Sequence, residues 1–156
     1  MTSSIFDVFK IGIGPSSSHT VGPMLAARSF ALSLADSGVL ARVDRVRIEL
    51  FGSLGATGWG HGTGTAVLLG LCGESPDQVD TASAPDRVRQ IRTGKRLALL
   101  TAGGTAGHEI DFDETTDLVR HEVERLPFHP NALGFTAWAG DAEVAHQVYY
   151  SVGGGA

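Results

Sequence analysis

The sequence predicts an α+β domain with a partly antiparallel sheet, and three patterns support this fold class. Apolar residues recur at helical spacing in several stretches, and they alternate with polar residues along several shorter runs that are typical of strands. The last two of these runs flank Ala139-Gly140-Asp141, which predicts a C-terminal β-hairpin. Together the patterns give about five strands and three or four helices in 156 residues, a length typical of one domain.

The first predicted helix covers about residues 22–37. Pro23 suits its first turn, and Gly38 suits the left-handed position that follows a last helical turn. Its apolar residues are spaced three or four positions apart or lie next to one another, so they share one face: Met24, Ala27, Phe30, Ala31 and Leu34.

A strand and a second helix follow. Apolar residues alternate with charged ones in VDRVRIELFGS, where Val46, Ile48 and Leu50 share one face, so we expect a half-buried strand at about 43–50. After a glycine-rich loop, TAVLLGLCG predicts a buried helix that ends at Gly73.

The remaining elements are shorter. A serine, a proline and apolar residues at helical spacing predict an amphipathic helix over 83–94, with Gly94 as its end signal. RLALLT (96–101) and HEIDF (108–112) predict two strands around a glycine-rich turn. The pattern of 113–126 fits a helix only in part, so its assignment stays open.

Composition excludes several function classes. The net charge of −5 and the absence of a basic stripe argue against nucleic-acid binding. The N-terminus lacks the pattern of a signal peptide, and the longest apolar run (66–72) is too short to span a bilayer. Cys72 is the only cysteine, which suits a reducing cytoplasm and excludes a multi-cysteine metal or cluster site within this chain. We therefore expect a cytoplasmic domain with no membrane partner.

The segment GPSSSHT (14–20) precedes the first helix, where unpaired backbone N–H groups attract anions. His19 adds an acid, a base or a further donor. The segment therefore suits a small carboxylate or phosphate; the alternative is that one serine caps the helix and the rest are solvated turn residues. Four hydroxyl groups belong to this segment: Ser16, Ser17, Ser18 and Thr20.

A second candidate segment is GSLGATGWGHGTGT (52–65), whose glycines allow close approach of the backbone to a ligand or a neighbouring chain. It contains His61 and Thr63 but lacks the Gly-Lys-Ser/Thr ending of a phosphate-binding loop. Taken alone, His61 is better explained as an ordinary loop histidine. The other four histidines are scattered and lack the spacing of zinc ligands: His108, His121, His129 and His146.

Four stretches of the chain resemble the N-terminal β domain of the bacterial iron–sulfur-dependent L-serine dehydratases, which are also called L-serine ammonia-lyases. The resemblance extends over essentially the whole chain. It implies a β domain over residues 1–152, with 153–156 as the start of a glycine-rich junction to a catalytic domain. The stretches are FDVFKIGIGPSSSHTVGPMLAA (6–27), FGSLGATGWGHGT (51–63), LPFHPN (126–131) and YYSVGGG (149–155).

The resemblance implies an activity and a fold. Members of this family convert L-serine to pyruvate and ammonia without pyridoxal phosphate. A [4Fe-4S] cluster, held by cysteines of a separate catalytic α domain, acts as the Lewis acid that polarises the serine hydroxyl. The β domain is expected to be a two-layer α/β sandwich with a mixed sheet, similar to the allosteric substrate-binding domain of some phosphoglycerate dehydrogenases.

The resemblance also assigns roles to residues of the candidate segments. His19 and His61 lie in matching motifs and become the candidates for the base or proton relay. The implied substrate contacts are Ser16, Ser17, Ser18, Thr20 and Thr63. Because the cluster ligands lie elsewhere, we expect this chain alone to bind no metal and to be inactive. The alternatives are a regulatory module that binds a small carboxylate, or an interaction domain; the sequence leaves homodimer formation open.

Overall fold

The computed structural model describes five stretches of the chain: residues 21–51, 63–79, 82–101, 107–121 and 132–150. They form helices and strands in nearly the order that the sequence predicts. The helices are α1 (Val21–Asp36), α2 (Thr63–Leu71), α3 (Ala84–Gly94) and α4 (Glu114–Asp117), with a 3₁₀ turn at Leu40–Arg42. The strands are β1 (Arg45–Phe51), β2 (Arg96–Leu99), β3 (His108–Asp111), β4 (Leu118–His121), β5 (Ala132–Ala139) and β6 (Ala142–Tyr150).

Four strands form the main sheet, in the order β4-β1-β5-β6. Strand β1 pairs in parallel with β4 and antiparallel with β5, while β5 and β6 form the predicted antiparallel hairpin. Strands β2 and β3 pair with each other in a separate two-stranded sheet. The predicted mixed α and β composition with a mixed sheet is confirmed. The strand count differs, because the described residues form six strands instead of about five.

The core lies between the first helices and one face of the main sheet. All five apolar residues that the periodicity assigned to one face of α1 are buried, and so are Val46, Ile48 and Leu50 of β1. The ring of Phe30 stacks on Phe135 of β5 at a centroid distance of 5.1 Å. Burying large apolar side chains such as these contributes about 1.5–3 kcal/mol each, so this contact holds α1 on the sheet.

Helices α1 and α2 pack closely because Gly70 has no side chain. A Cβ at Gly70 would clash with the backbone oxygen of Met24 and would lie 2.8 Å from the Cβ of Ala27. Further along α1, Arg28 Nε donates to the carbonyl oxygen of Gly73, two residues after the end of α2, at 3.2 Å. The contacts advance in the same direction along both helices, so α1 and α2 run parallel. None of the helices in the described stretches has the length and hydrophobicity of a membrane span.

The helix ends test the predicted end signals. Gly38 and Gly73 have φ angles of +79° and +99°, so both are confirmed in the left-handed conformation that favours glycine. The helix predicted over 83–94 is observed as Ala84–Gly94, so it ends at Gly94 as expected, and the left-handed conformation falls on the next residue, Lys95, at φ +56°. The Lys95 N–H donates to the carbonyl oxygen of Ile91, and this hydrogen bond caps the helix directly after Gly94.

The ambiguous segment after residue 112 divides into two elements. Asp113 caps the single turn of α4, since its side chain accepts a hydrogen bond from the backbone N–H of Thr115. The chain then becomes extended at Leu118 and pairs with β1. The helical pattern fitted only in part because the described portion of this segment, residues 113–121, contains a helical turn followed by a strand.

One end of the main sheet is closed by short connections and charged contacts. The two-residue turn of the β5–β6 hairpin has Gly140 at φ +62°, and the Gly140 N–H donates to Asp44 at 2.8 Å. Arg45 pairs with the buried Asp117 at 3.1 Å and lies over the ring of Trp138. We call this the closed end, defined by Asp44, Arg45, Asp117, Trp138 and Gly140.

Candidate functional site

Nearly all of the predicted site residues lie outside the described stretches. Within GPSSSHT, these are the serines with His19 and Thr20, and in the glycine-rich segment it is His61. Thr63 is the exception, because its backbone forms the first residue of α2. The convergence of His19 and His61 therefore stays a prediction. What the structure shows is where the neighbouring described residues lie.

At the end of the main sheet opposite the closed end, one residue from each of the four strands lies in a continuous row of paired residues. Phe51 of β1 pairs with His121 of β4 and with Ala132 of β5, and Ala132 pairs with Tyr150 of β6. We call these four residues the terminal row. Strands β1, β4 and β6 end at the row and β5 begins there, so three of the four strands present their carboxyl ends. The segments 52–62 and 122–131 both join the described chain at this row.

The helix beginnings point to the same end of the domain. Residues 37–44 connect the last turn of α1 to the start of β1 at the closed end, so α1 begins toward the terminal row. Because α2 runs parallel to α1, Thr63 also lies toward that end. The serine-rich segment directly precedes α1, and the segment with His61 connects Phe51 to Thr63. The described neighbours of both candidate segments thus lie at one end of the molecule.

Two ionisable side chains meet at the terminal row. The Nε2 atom of His121 lies 3.0 Å from Oε2 of Glu49, and both side chains keep about a quarter of their surface exposed (22% and 24%). A carboxylate oxygen can only accept, so the ring N–H donates. The imidazole also stacks on the ring of Phe51, with centroids 4.5 Å apart and planes within 4°. These contacts join the ends of β1 and β4.

The other described histidines make structural contacts away from this row. His108 approaches the carbonyl oxygen of Val43 through Nε2, and His146 Nδ1 lies 2.9 Å from the hydroxyl of Thr136 in the middle of the hairpin. His129 lies outside the described stretches. Within those stretches, no three His, Cys, Asp or Glu side chains are placed to share a metal ion.

Cys72 follows α2 and is buried with a free thiol. Burial raises the pKa of this thiol to about 11, although the nearby Arg87 acts in the opposite direction. A thiol with so high a pKa is almost fully protonated near neutral pH, and the thiolate is the form that binds metals and attacks electrophiles. Cys72 therefore acts as a small apolar core residue.

Comparison with known proteins agrees with the sequence resemblance. The family described as "Serine dehydratase beta chain" matches residues 4–156. The chain belongs to this family. It is 56% identical over 158 residues to an L-serine dehydratase of Streptomyces coelicolor, and 45% identical over 152 residues to L-serine dehydratase 1 of Escherichia coli. These alignments cover 99% and 97% of the chain but only 33% and 32% of the two relatives. The chain thus spans about a third of the length of the curated relatives it matches.

In this serine dehydratase beta chain, sequence reasoning missed the contact between Glu49 and His121. Alternation placed Glu49 on the polar face of a strand, and His121 fell in the segment whose assignment was open. Only the parallel pairing of β1 with β4 brings the two together, and that pairing joins residues 72 positions apart. The available signal was weak: an acidic residue two positions before the end of one strand and a histidine in a later segment.

Proposed function

We propose that this chain is the β portion of an enzyme that converts L-serine to pyruvate and ammonia. In this proposal, the chain supplies polar groups that receive the substrate carboxylate and one or two histidines for proton transfer. The observation that carries the proposal is the terminal row, where three strands present their carboxyl ends and the helix beginnings point the same way. Ligands in α/β sheets commonly bind outside the carboxyl ends of strands. Four family motifs lie in or directly beside the segments that adjoin this end.

The chemistry suits the residue types in those segments. A helix beginning carries unpaired N–H groups and a partial positive charge, so it favours a carboxylate. The hydroxyl groups of Ser16, Ser17, Ser18, Thr20 and Thr63 add hydrogen-bond donors of the right size for an amino-acid carboxylate. The serine α-proton is weakly acidic, so a base must be positioned within hydrogen-bond reach of it. His19 and His61 are the proposed base and relay, because imidazole titrates near neutral pH.

The cluster implied by the resemblance does not fit this chain. Cluster iron is held by several thiolates, while Cys72 is the chain's single cysteine, is buried, and has a raised pKa. We propose that a [4Fe-4S] cluster is held by the remaining two-thirds of the full-length protein, in a catalytic α domain. The role of the present chain is therefore to bind and orient the substrate and to move protons.

Three narrower points belong to the same proposal. The domain is a two-layer sandwich similar to the allosteric substrate-binding domain of some phosphoglycerate dehydrogenases, supported by the mixed sheet and the parallel pair of helices. The protein acts in the cytoplasm, supported by the single free thiol of Cys72. Residues 153–156 begin the junction to the catalytic domain, supported by their glycine-rich composition.

The test is an anaerobic assay of pyruvate formation from L-serine with the full-length protein and with the present chain alone. We expect turnover by the full-length protein and none by the chain. If neither forms pyruvate while the chain binds L-serine in a calorimeter, the protein is instead a regulatory module that binds a small carboxylate. If the chain alone deaminates L-serine, the proposed division of labour is wrong.

A further inference from the structure

The contact between Glu49 and His121 lies outside every motif that carries the family resemblance. Glu49 is two residues before the end of β1, and His121 is the last residue of β4. The His121 imidazole makes two contacts: a hydrogen bond of 3.0 Å to Glu49 and a flat stack on the ring of Phe51. A polar contact and an aromatic contact thus act on one imidazole, and together they fix both its position and its tilt.

This contact has a mechanical consequence because β4 is a weak strand. It is four residues long, and among the strands of the described stretches it lies at the edge of the main sheet and pairs only with β1. Few backbone hydrogen bonds therefore hold its end, and short edge strands fray readily. The side-chain contacts of His121 hold β4 against β1 at the one place where both strands end.

The residue of β5 that is paired with Glu49 is a glycine and has no side chain. This residue is Gly134, and a Cβ built there would lie 3.6 Å from the Cβ of Glu49 and 3.7 Å from the ring of Phe51. Glu49 is paired with Gly134, so no β5 side chain stands directly opposite it, and Phe51 is paired with the small Ala132. The small residues of β5 therefore leave room for Glu49 and Phe51 to lie over the sheet, where both contact His121.

We propose that Glu49 and His121 form a positioning pair, which fixes the ends of β1 and β4 and thereby sets the segment with His61 against the substrate. The inference rests on the proposed function for its kinetic consequences. Neither residue needs to touch L-serine. Phe51 is joined through the backbone to the segment that contains His61, so a shift of the strand end changes the point at which that segment begins. Displacements of about 1 Å at a distance from the chemistry lower turnover by up to about 10²-fold.

A positioning role and a proton-relay role give different results for conservative variants. Glu49→Gln keeps an oxygen that accepts from the His121 ring but removes the charge. We expect Glu49→Ala and His121→Phe to lower kcat by about tenfold while KM changes less than about twofold, and Glu49→Gln to restore at least about a third of the wild-type turnover. A relay would lose its turnover in Glu49→Gln as well, and that result would overturn the positioning role.

A double variant tests whether the two residues act as one unit. The combined Glu49→Ala and His121→Phe protein should be no slower than the slower single variant, since the contact is already lost in either. Effects that multiply would show two independent roles and would overturn the pair. The matched control is His146→Phe, which removes a histidine hydrogen bond of 2.9 Å from the same sheet but away from the terminal row. It should keep the wild-type kcat.

A second measurement separates this inference from the proposed function. Amide hydrogen exchange of the full-length protein, without substrate, reports on the segments 52–62 and 122–131. We expect faster exchange in both segments for Glu49→Ala and His121→Phe, and wild-type exchange for Glu49→Gln and His146→Phe. If the wild-type protein forms no pyruvate, the proposed function fails and the exchange data alone decide the positioning role. Unchanged exchange in both segments, or faster exchange throughout the protein, would overturn it.

Discussion

The two ends of the main sheet differ in how the chain is connected. At the closed end, the hairpin turns in two residues, the 3₁₀ turn leads directly into β1, and Asp44 and Asp117 accept hydrogen bonds from distant groups. At the terminal row, the described strands stop beside the hydrogen bond between Glu49 and His121, and the sequence continues into segments rich in glycine, serine and histidine. Function is commonly carried by connecting segments on a rigid scaffold. Under the proposed function, the chemistry belongs to the end with the long connecting segments, and the opposite end of the same four strands is held by short turns and charged contacts.

The largest expected effect concerns the segments beside the terminal row. In the full-length protein, His61→Ala and His19→Ala should each lower kcat for L-serine by about 10²-fold or more, the usual scale for losing acid–base assistance. Thermal unfolding should change little, because loop histidines rarely hold a core. Steady-state kinetics and calorimetric Tm values check both points. Near-normal turnover in both variants would remove the histidines from the mechanism and would contradict the assignment of chemistry to the segments beside the terminal row.

The second prediction concerns the buried thiol of Cys72, directly after α2. Burial raises the pKa of Cys72 from an ordinary 9.0 to about 11, so the folded chain holds the thiol proton more tightly than the unfolded chain does. The resulting stabilisation is present below pH 9 and is lost as the pH rises toward 11. We expect the free energy of unfolding to fall over this interval by about 2–3 kcal/mol more in the wild type than in Cys72→Ala. Urea titrations at several pH values measure the difference, and parallel pH curves would contradict it.

The third prediction concerns the closed end. Asp117 is buried, and its two oxygens accept from Arg45 and from the backbone N–H of Asp113. Asp117→Ala leaves that N–H and the guanidinium without this acceptor, so we expect a loss of about 2 kcal/mol in the free energy of unfolding. Asp117→Asn retains an acceptor and should lose less. Both variants should keep the wild-type kcat in the full-length protein; a large loss of turnover at full stability would place chemistry at the closed end.

The smallest expected effect is at the hairpin turn. Gly140 has φ +62°, where a side chain is strained, so Gly140→Ala should cost about 1 kcal/mol. Gly94 offers a matched control of opposite sign, because it is helical and a Cβ there meets nothing within 4 Å. Gly94→Ala should stabilise the chain by about 0.5–1 kcal/mol. Chemical denaturation measures the free energy of unfolding of both variants. If the two substitutions change it in the same direction, the left-handed conformation of Gly140 does not contribute to the stability of the closed end.

Local patterns predicted most of the elements because the relevant forces act over a few residues. The apolar face of α1, the alternation in β1 and the left-handed glycines after α1 and α2 depend only on neighbours in sequence. Lys95 was missed because its left-handed conformation follows from where α3 meets β2, which no local signal marks. Strand β4 was missed because its pattern is shared with a helical turn, and only pairing with β1 resolves it.

The candidate site was predictable to a different degree. Residue types in the motifs predict a carboxylate site, since hydroxyls and an imidazole before a helix favour a carboxylate, and this stays a prediction because those residues lie outside the described stretches. The sequence predicts only in general terms that the segments with His19 and His61 lie close together, because loops that follow strand ends commonly meet at one edge of a sheet. The terminal row shows that β1, β4 and β6 end at the same level of the sheet, which agrees with that expectation. The pairing of Glu49 with His121 depends on contacts across 72 residues, so no pattern within one segment predicts it.

The most direct test of this division is the effect of substrate on amide hydrogen exchange. Full-length protein carrying His61→Ala, which should bind L-serine but turn it over slowly, is compared with and without saturating L-serine. We predict slower exchange in peptides that adjoin the terminal row, namely 14–20, 52–62 and 122–131, and unchanged exchange in the closed-end peptides 37–44 and 138–142. Protection confined to the closed-end peptides, or protection at neither end when calorimetry shows binding, would contradict the assignment of chemistry to the terminal row.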